Sequence, residues 1–235
     1  PRSADAIRTG DGIAWGDHDD RLYCGCASFF RNSYKANLIS DWLPSLDGVV
    51  ERLEAGITVI DVGCGHGHLT VLMAQHFPNS RFFGVDAHAG SIAAARALAE
   101  EAGLADRVQF DVGDARSYPD RGYDLVCFFD CVHDMGFPVD ALAHAARTLA
   151  PGGTVMLVEP FAGDRVEDNF NPVGRLYYAA STTLCCAHAI SEKGTHVLGA
   201  QAGAREIAAV CEEAGLSTVR RTFATPFNMV IEARS

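Results

Sequence analysis

The stretch T-V-I-D-V-G-C-G-H-G-H-L-T, residues 58–70, decides how this chain folds. A β-branched run, Thr58 to Val62, carries Asp61 and leads into three glycines spaced by two, Gly63, Gly65 and Gly67; a helical pattern begins directly behind them. β-branched residues suit a strand. Glycine accepts positive φ and lacks the Cβ that would hold a ligand off the backbone, and the helix that follows offers unpaired N–H groups at its start. Such a turn is built to hold something polar or anionic; the alternative is a tight strand-to-helix turn without a ligand. A dinucleotide fingerprint needs glycines at the first, third and sixth places. Counting from Gly63, the sixth place is His68, which argues against a nicotinamide-dependent oxidoreductase.

Outward from this turn, short apolar runs alternate with helical stretches. The runs are Thr58 to Val62, Arg81 to Val85, Val108 to Phe110, Leu125 to Phe129 and Thr154 to Val158, with helical patterns between them at about 67–77, 89–102 and 137–149. That alternation predicts an α/β fold, a doubly wound and mostly parallel sheet covered on both faces. Upstream, Phe29, Phe30, Tyr34, Leu38 and Ile39, then Val49, Val50 and Leu53, recur at helical spacing, so helices lead into the core. Downstream, a helix near 201–214 ends at Gly215, and β-like runs at about 217–223 and 227–233 flank Pro226, as in a closing antiparallel hairpin.

Two further acids belong with the turn. Asp86 ends the second run, in F-F-G-V-D-A-H, 25 residues beyond Asp61, where a doubly wound fold places a carboxylate for both ribose hydroxyls. Asp114 follows the third run in D-V-G-D-A-R. Each sits just past an expected strand, the edge at which open α/β sheets bind ligands. The pattern acid-x-G-x-G-x-G, these two acids and the A-P-G-G turn at 150–153 resemble the class I S-adenosylmethionine-dependent methyltransferases from residue 58 to about 160. The resemblance implies a seven-stranded sheet of order 3-2-1-4-5-7-6 with the last strand antiparallel. It implies S-adenosylmethionine as cofactor and S-adenosylhomocysteine as product. Asp61, Gly63, Gly65 and Gly67 would hold the amino-acid end, Asp86 with Ala87 and His88 the ribose, and Gly113, Asp114 and Ala115 the adenine, with Phe129 beside them.

The fourth run ends in L-V-C-F-F-D-C-V-H-D-M-G, residues 125–136, which sets His133 and Asp134 just beyond a strand end. The pair resembles the His-Asp of small-molecule O-methyltransferases, in which the histidine is the general base; Met135 stands where that family commonly has Trp. The same resemblance puts an acid at the end of the fifth run, and Glu159 occupies that place, able to orient the imidazole as a triad carboxylate does. The alternative is a helix-start histidine paired with Asp134 and without chemical work. Catalytic roles are thus expected for His133, Asp134 and Glu159, and a hydroxyl oxygen of a small molecule is the expected acceptor. A competing expectation is a non-catalytic module that senses S-adenosylmethionine for a regulator.

The 235 residues are 48% hydrophobic, enough for one sizeable core. With 19 Lys plus Arg against 30 Asp plus Glu, the formal charge is −11, and the densest basic spot is Arg220–Arg221, so nucleic acid is not an expected partner. No apolar run reaches the roughly 20 residues of a membrane span and no signal peptide is legible; a cytoplasmic location without membrane contact is expected. The eight cysteines include the close pairs Cys24 with Cys26 and Cys185 with Cys186. Neither pair has the two-residue gap that suits zinc, so no metal is expected. Residues 1–25 are polar and aperiodic and read as a linker or cut end, with 26–235 as the methyltransferase domain and about 160–199 as an inserted cap. N-P-V-G-R-L-Y-Y, residues 171–178, is similar to a segment of bacterial proteins in which this core follows a winged-helix dimerisation domain. That likeness implies a homodimer formed through a domain this chain lacks. The tyrosines there suit either substrate contact or plain packing.

Overall fold

The computed structural model describes residues 2–235. Its order begins with helices α1 (Arg2–Thr9), α2 (Asp20–Asn37) and α3 (Val49–Ala55), joined by a wide helical turn over Leu38–Trp42 and a tight one over Leu43–Ser45. Then follow β1 (Thr58–Val62), α4 (His68–His76), β2 (Arg81–Asp86), α5 (Ala89–Glu101), β3 (Val108–Val112), β4 (Tyr123–Phe129), α6 (Pro138–Thr148) and β5 (Leu149–Pro160). The cap consists of α7 (Pro172–Thr183) and α8 (Cys185–Ser191); α9 (Gly203–Glu213), β6 (Thr218–Ala224) and β7 (Asn228–Arg234) finish the chain.

The seven strands form one sheet in the order β3-β2-β1-β4-β5-β7-β6. β1 pairs in parallel with both β2 and β4, which sets Asp61 opposite Gly84 on one side and Cys127 on the other. β7 runs antiparallel to β5 and to β6. Every residue of β4 except Asp124 is buried, as a strand sandwiched between helices must be. One face packs Trp42, Leu53, Met73, Phe82 and Ile92 under α3, α4 and α5. The other packs Tyr123, Phe128, Leu142, Ile207 and Ile231 under α6 and α9. Because the chain leaves β1 toward β2 and β3, and later returns to its other side as β4, the crevice of such a sheet opens at the carboxyl ends of β1 and β4.

The cap folds back over that crevice: Gly199 N–H donates to His133 O at 3.1 Å. The first 25 residues, expected as linker or cut end, are helical in α1 and the start of α2, and Pro1 lies outside the described residues. The segment between the helices is docked on α8, with Ile13 N–H donating to Ala187 O at 2.8 Å and Trp15 N–H to His188 Nδ1 at 3.1 Å. Gly12 makes this approach feasible, since a Cβ there would stand 2.2 Å from Ala187 O. An aperiodic stretch carries no period-based signal of docking, which is why tertiary contact alone reveals it.

Candidate active site

A single cavity of about 880 Å³ runs from the glycine turn to the cap. Its lining includes Asp61, Gly63, Gly65, Asp86, Ala87, His88, Gly113, Asp114, Ala115, Phe129, His133 and Asp134. All but two of the sequence-derived site residues thus meet in one place.

The turn earns its glycines in three different ways. Gly63, Gly65 and Gly67 all have positive φ, at 74°, 52° and 73°. A Cβ on Gly65 would meet nothing within 4 Å and would project into open space, so the main chain there is bare toward a ligand. A Cβ on Gly63 would meet Cys131 Sγ at 3.0 Å. Gly67 does not line the cavity; its Cβ would stand 2.5 Å from the Phe110 ring and 2.9 Å from Ala95, so its smallness serves the packing of α4 on β3 and α5. The sequence groups Gly67 with the cofactor residues; in the structure the near neighbours of its Cβ position are Phe110 and Ala95. Spacing alone could not separate a ligand-facing glycine from one facing a phenyl ring.

Asp61 is 1% exposed. Its Oδ2 accepts from Thr70 Oγ1 at 2.6 Å, while Oδ1 is buried without a hydrogen-bond partner among the described residues. Burial, with help from the Asp86 charge and against the Thr70 bond, pushes its carboxyl up to about 7. Asp86 uses both oxygens to shape the turn, Oδ2 accepting from Gly65 N–H at 2.9 Å and Oδ1 from His88 N–H at 2.8 Å. Asp114 is clasped by Arg116, whose Nη2 lies 2.6 Å from Oδ2. The Arg116 hydrogen bond holds its carboxyl below the usual range. An orphaned buried carboxylate oxygen and a bare glycine beside a cavity fit the amino-acid end of S-adenosylmethionine. Asp86 and Asp114 line the same cavity, Asp114 with a carboxylate oxygen paired to Arg116.

At the other end, residues Val132–Asp134 form one tight turn after β4. Glu159, 1% exposed at the end of β5, anchors it: Oε1 accepts from Val132 N–H at 3.0 Å, and Oε2 stands 2.5 Å from His133 Nδ1. Glu159 acts from behind the imidazole and does not line the cavity. His133 Nε2 lies 3.1 Å from Asp134 Oδ1. Burial alone would lower the histidine pKa, but the carboxylates of Asp134 and Glu159 outweigh it and hold the value well above 6.5. Burial likewise opposes ionisation of Asp134, yet His133 keeps its carboxyl below 3.8. The two carboxylates thus favour the charged form of the imidazole.

Several lining residues escaped the sequence reading. Asp130, adopting φ of 48° just past β4, accepts from Tyr34 Oη and from Asn228 Nδ2; burial, then the Glu159 charge, pushes its carboxyl up to about 7. Its place at a strand tip was a usable signal. Cys185 and His188 on α8, Trp15 and Phe30 carried none. Of the cap tyrosines, Tyr177 is buried against the cavity with Oη donating to Phe227 O at 2.8 Å, whereas Tyr178 is exposed. Among the described residues no helix is long and apolar enough to cross a membrane.

The family model described as "Methyltransferase domain" matches residues 53–214. Similar curated proteins include the 27-O-demethylrifamycin SV methyltransferase of Amycolatopsis mediterranei, 33% identical over 107 residues, 45% of this chain and 39% of that protein. Another is the trans-aconitate 2-methyltransferase of Streptomyces avermitilis, 33% identical over 103 residues, 43% of this chain and 38% of that protein. The chain spans less than half the length of these relatives. Among solved structures, an O-methyltransferase family protein from Burkholderia thailandensis shares the fold with a TM-score of 0.73 at 23% identity, over 100% of this chain and 68% of that one. So does an O-methyltransferase of neocarzinostatin biosynthesis holding S-adenosyl-L-homocysteine and 1,4-dihydroxy-2-naphthoic acid, with a TM-score of 0.71 at 20% identity over 99% and 67%.

Proposed function

The chain belongs to the class I S-adenosylmethionine-dependent methyltransferases, and on that premise we propose that it methylates a hydroxyl oxygen of an aromatic small molecule, with His133 as the proton acceptor. The observation that carries this reading is a histidine backed by a buried carboxylate on the wall of the same cavity as the glycine turn. S-adenosylmethionine, when bound, supplies an electrophilic sulfonium methyl group. The rest falls to this chain's own residues. Gly63, Gly65 and Asp61 hold the amino-acid end, Asp86 and His88 the ribose side, and Asp114 the adenine. Positioning of an acceptor in a closed cavity is worth several kcal/mol of barrier.

Phe30 and Leu184 stand among the apolar lining of the cavity, which suits a planar ring. A hydroxyl entering beside His133 Nε2 takes the place of Asp134 Oδ1 there. As the two part, the Nε2 proton stays with the Asp134 carboxylate, and the bare Nε2 can accept the proton that leaves the hydroxyl. Glu159 keeps Nδ1–H pointed backward, so Nε2 is the nitrogen that works.

The test is transfer of isotope-labelled methyl from S-adenosylmethionine to a panel of phenols and hydroxynaphthoates. His133→Ala should lower turnover by about 100-fold or more while the dissociation constant of S-adenosylhomocysteine stays within about twofold. Equal turnover in the variant would remove His133 from the chemistry. Tight cofactor binding with no labelled product from any phenol would remove hydroxyl methylation itself.

A further inference from the structure

Where the cap closes on the tight turn after β4, three side chains able to ligate a metal converge. His133, Asp134 and Cys185 each offer one donor atom, and the three atoms lie within 4.8 Å of one another. His133 Nε2 and Asp134 Oδ1 are already 3.1 Å apart. With bonds of ~2.0–2.3 Å, neighbouring donors of a tetrahedral zinc ion stand roughly 3.4 to 3.7 Å apart, a spacing between the 3.1 Å of the His133–Asp134 pair and the 4.8 Å bound on the three atoms.

Three features separate this cluster from a chance gathering of polar groups. The far nitrogen of the imidazole, Nδ1, is engaged by Glu159 at 2.5 Å, the carboxylate partner that orients a metal-bound histidine and raises its donor strength. Asp134 Oδ1 is buried and lies 3.1 Å from His133 Nε2 without a hydrogen bond of good geometry among the described residues, a contact that a cation between the two atoms would replace. All three residues line the large cavity, so a fourth coordination position opens onto it, as in zinc sites that keep a place for water or substrate.

We propose that His133, Asp134 and Cys185 form a three-ligand site for a zinc-class divalent cation, its open position facing the acceptor end of the cavity. A thiolate and an imidazole select zinc or cobalt over magnesium, which takes hard oxygen ligands. A cation on Nε2 leaves His133 no lone pair for a hydroxyl proton, so metal and methyl acceptor compete for one face of the pocket. The site itself needs no methyl transfer to exist, and its test reads the metal directly.

Purified, metal-free chain is titrated with Co²⁺ alone. A thiolate-to-cobalt charge-transfer band in the near ultraviolet, saturating at one equivalent, bleached by Zn²⁺ and indifferent to Mg²⁺, is the expected result. Cys185→Ser should abolish the band, whereas Cys24→Ser, at an exposed thiol, should keep it; unaltered circular dichroism checks that each variant is folded. X-ray absorption at the cobalt edge of the wild-type protein reads the shell without any variant, and one sulfur beside a nitrogen is expected. No band at saturating Co²⁺, a band that survives in Cys185→Ser, or an all-oxygen shell would overturn the proposal.

Discussion

Asp61 shows how a single buried group can be set against stability. Its folded pKa of about 7 stands above the ordinary 3.8, so the fold prefers the protonated form. The stability tied to that proton is fully present below about pH 3.8 and is lost as pH rises toward 7. For a group this buried the loss is at most about 4 kcal/mol. Asp61→Asn should therefore lose less stability between pH 5 and pH 8 than the wild type does, the remaining loss belonging to Asp130, whose carboxyl is raised likewise, and it should weaken cofactor binding. Parallel melting curves for both proteins across that range would contradict the assignment. Gly65 and Gly67 offer a second contrast. Both demand left-handed backbone, which costs an alanine about 1–2 kcal/mol. Gly65→Ala places its methyl in the open cavity, so it should lose cofactor affinity by tenfold or more at modest cost in stability. Gly67→Ala drives its methyl into Phe110, and overpacking adds about 1–3 kcal/mol, so its main effect should be a lower unfolding midpoint in denaturant. Equal effects of the two on stability and binding would refute the division of labour.

At the scale of elements, the site is a junction of strand ends with pieces that lie far off in sequence. β1 supplies Asp61, β4 leads into His133, and β5 carries Glu159 next to its last residue; the parallel pairing of β4 with β5 sets Phe129 opposite Val158 and so brings the two tips level. α8 and the docked segment before α2 then cover the cavity. That segment is held on α8 through Gly12, and Gly12→Val should lever it away, since overpacking by about 1–3 kcal/mol exceeds what one local contact returns. Hydrogen exchange at the Ile13 amide, bonded to Ala187 O in the wild type, should accelerate by about tenfold or more, with the amides of β1 unchanged. Unaltered protection at Ile13 would show that the segment is held by other contacts.

For the molecule as a whole, the cofactor joins both halves of the sheet at the turn between them, so its binding should stabilise the fold as one unit. S-adenosylhomocysteine at 100 times its dissociation constant should add about 2.7 kcal/mol, a rise in Tm of roughly 5–10 °C for a chain of this size. A nicotinamide dinucleotide should add nothing, and the reverse result would return the glycine turn to a dinucleotide. Local pattern alone determined the order of strands and helices, the glycine turn and the tips that carry Asp86, Asp114, His133 and Glu159. Those features rest on periods of two and 3.6 residues and on glycine's freedom at positive φ, which neighbouring residues express without outside help. Only the tertiary structure decided that Gly67 faces a phenyl ring, that Arg116 clasps Asp114, and that the aperiodic segment around Ile13 docks on the cap. Cys185 meets His133 and Asp134 through the same long-range packing. Contacts between residues far apart along the chain are set by how whole elements pack against one another, and no spacing within a single segment records that.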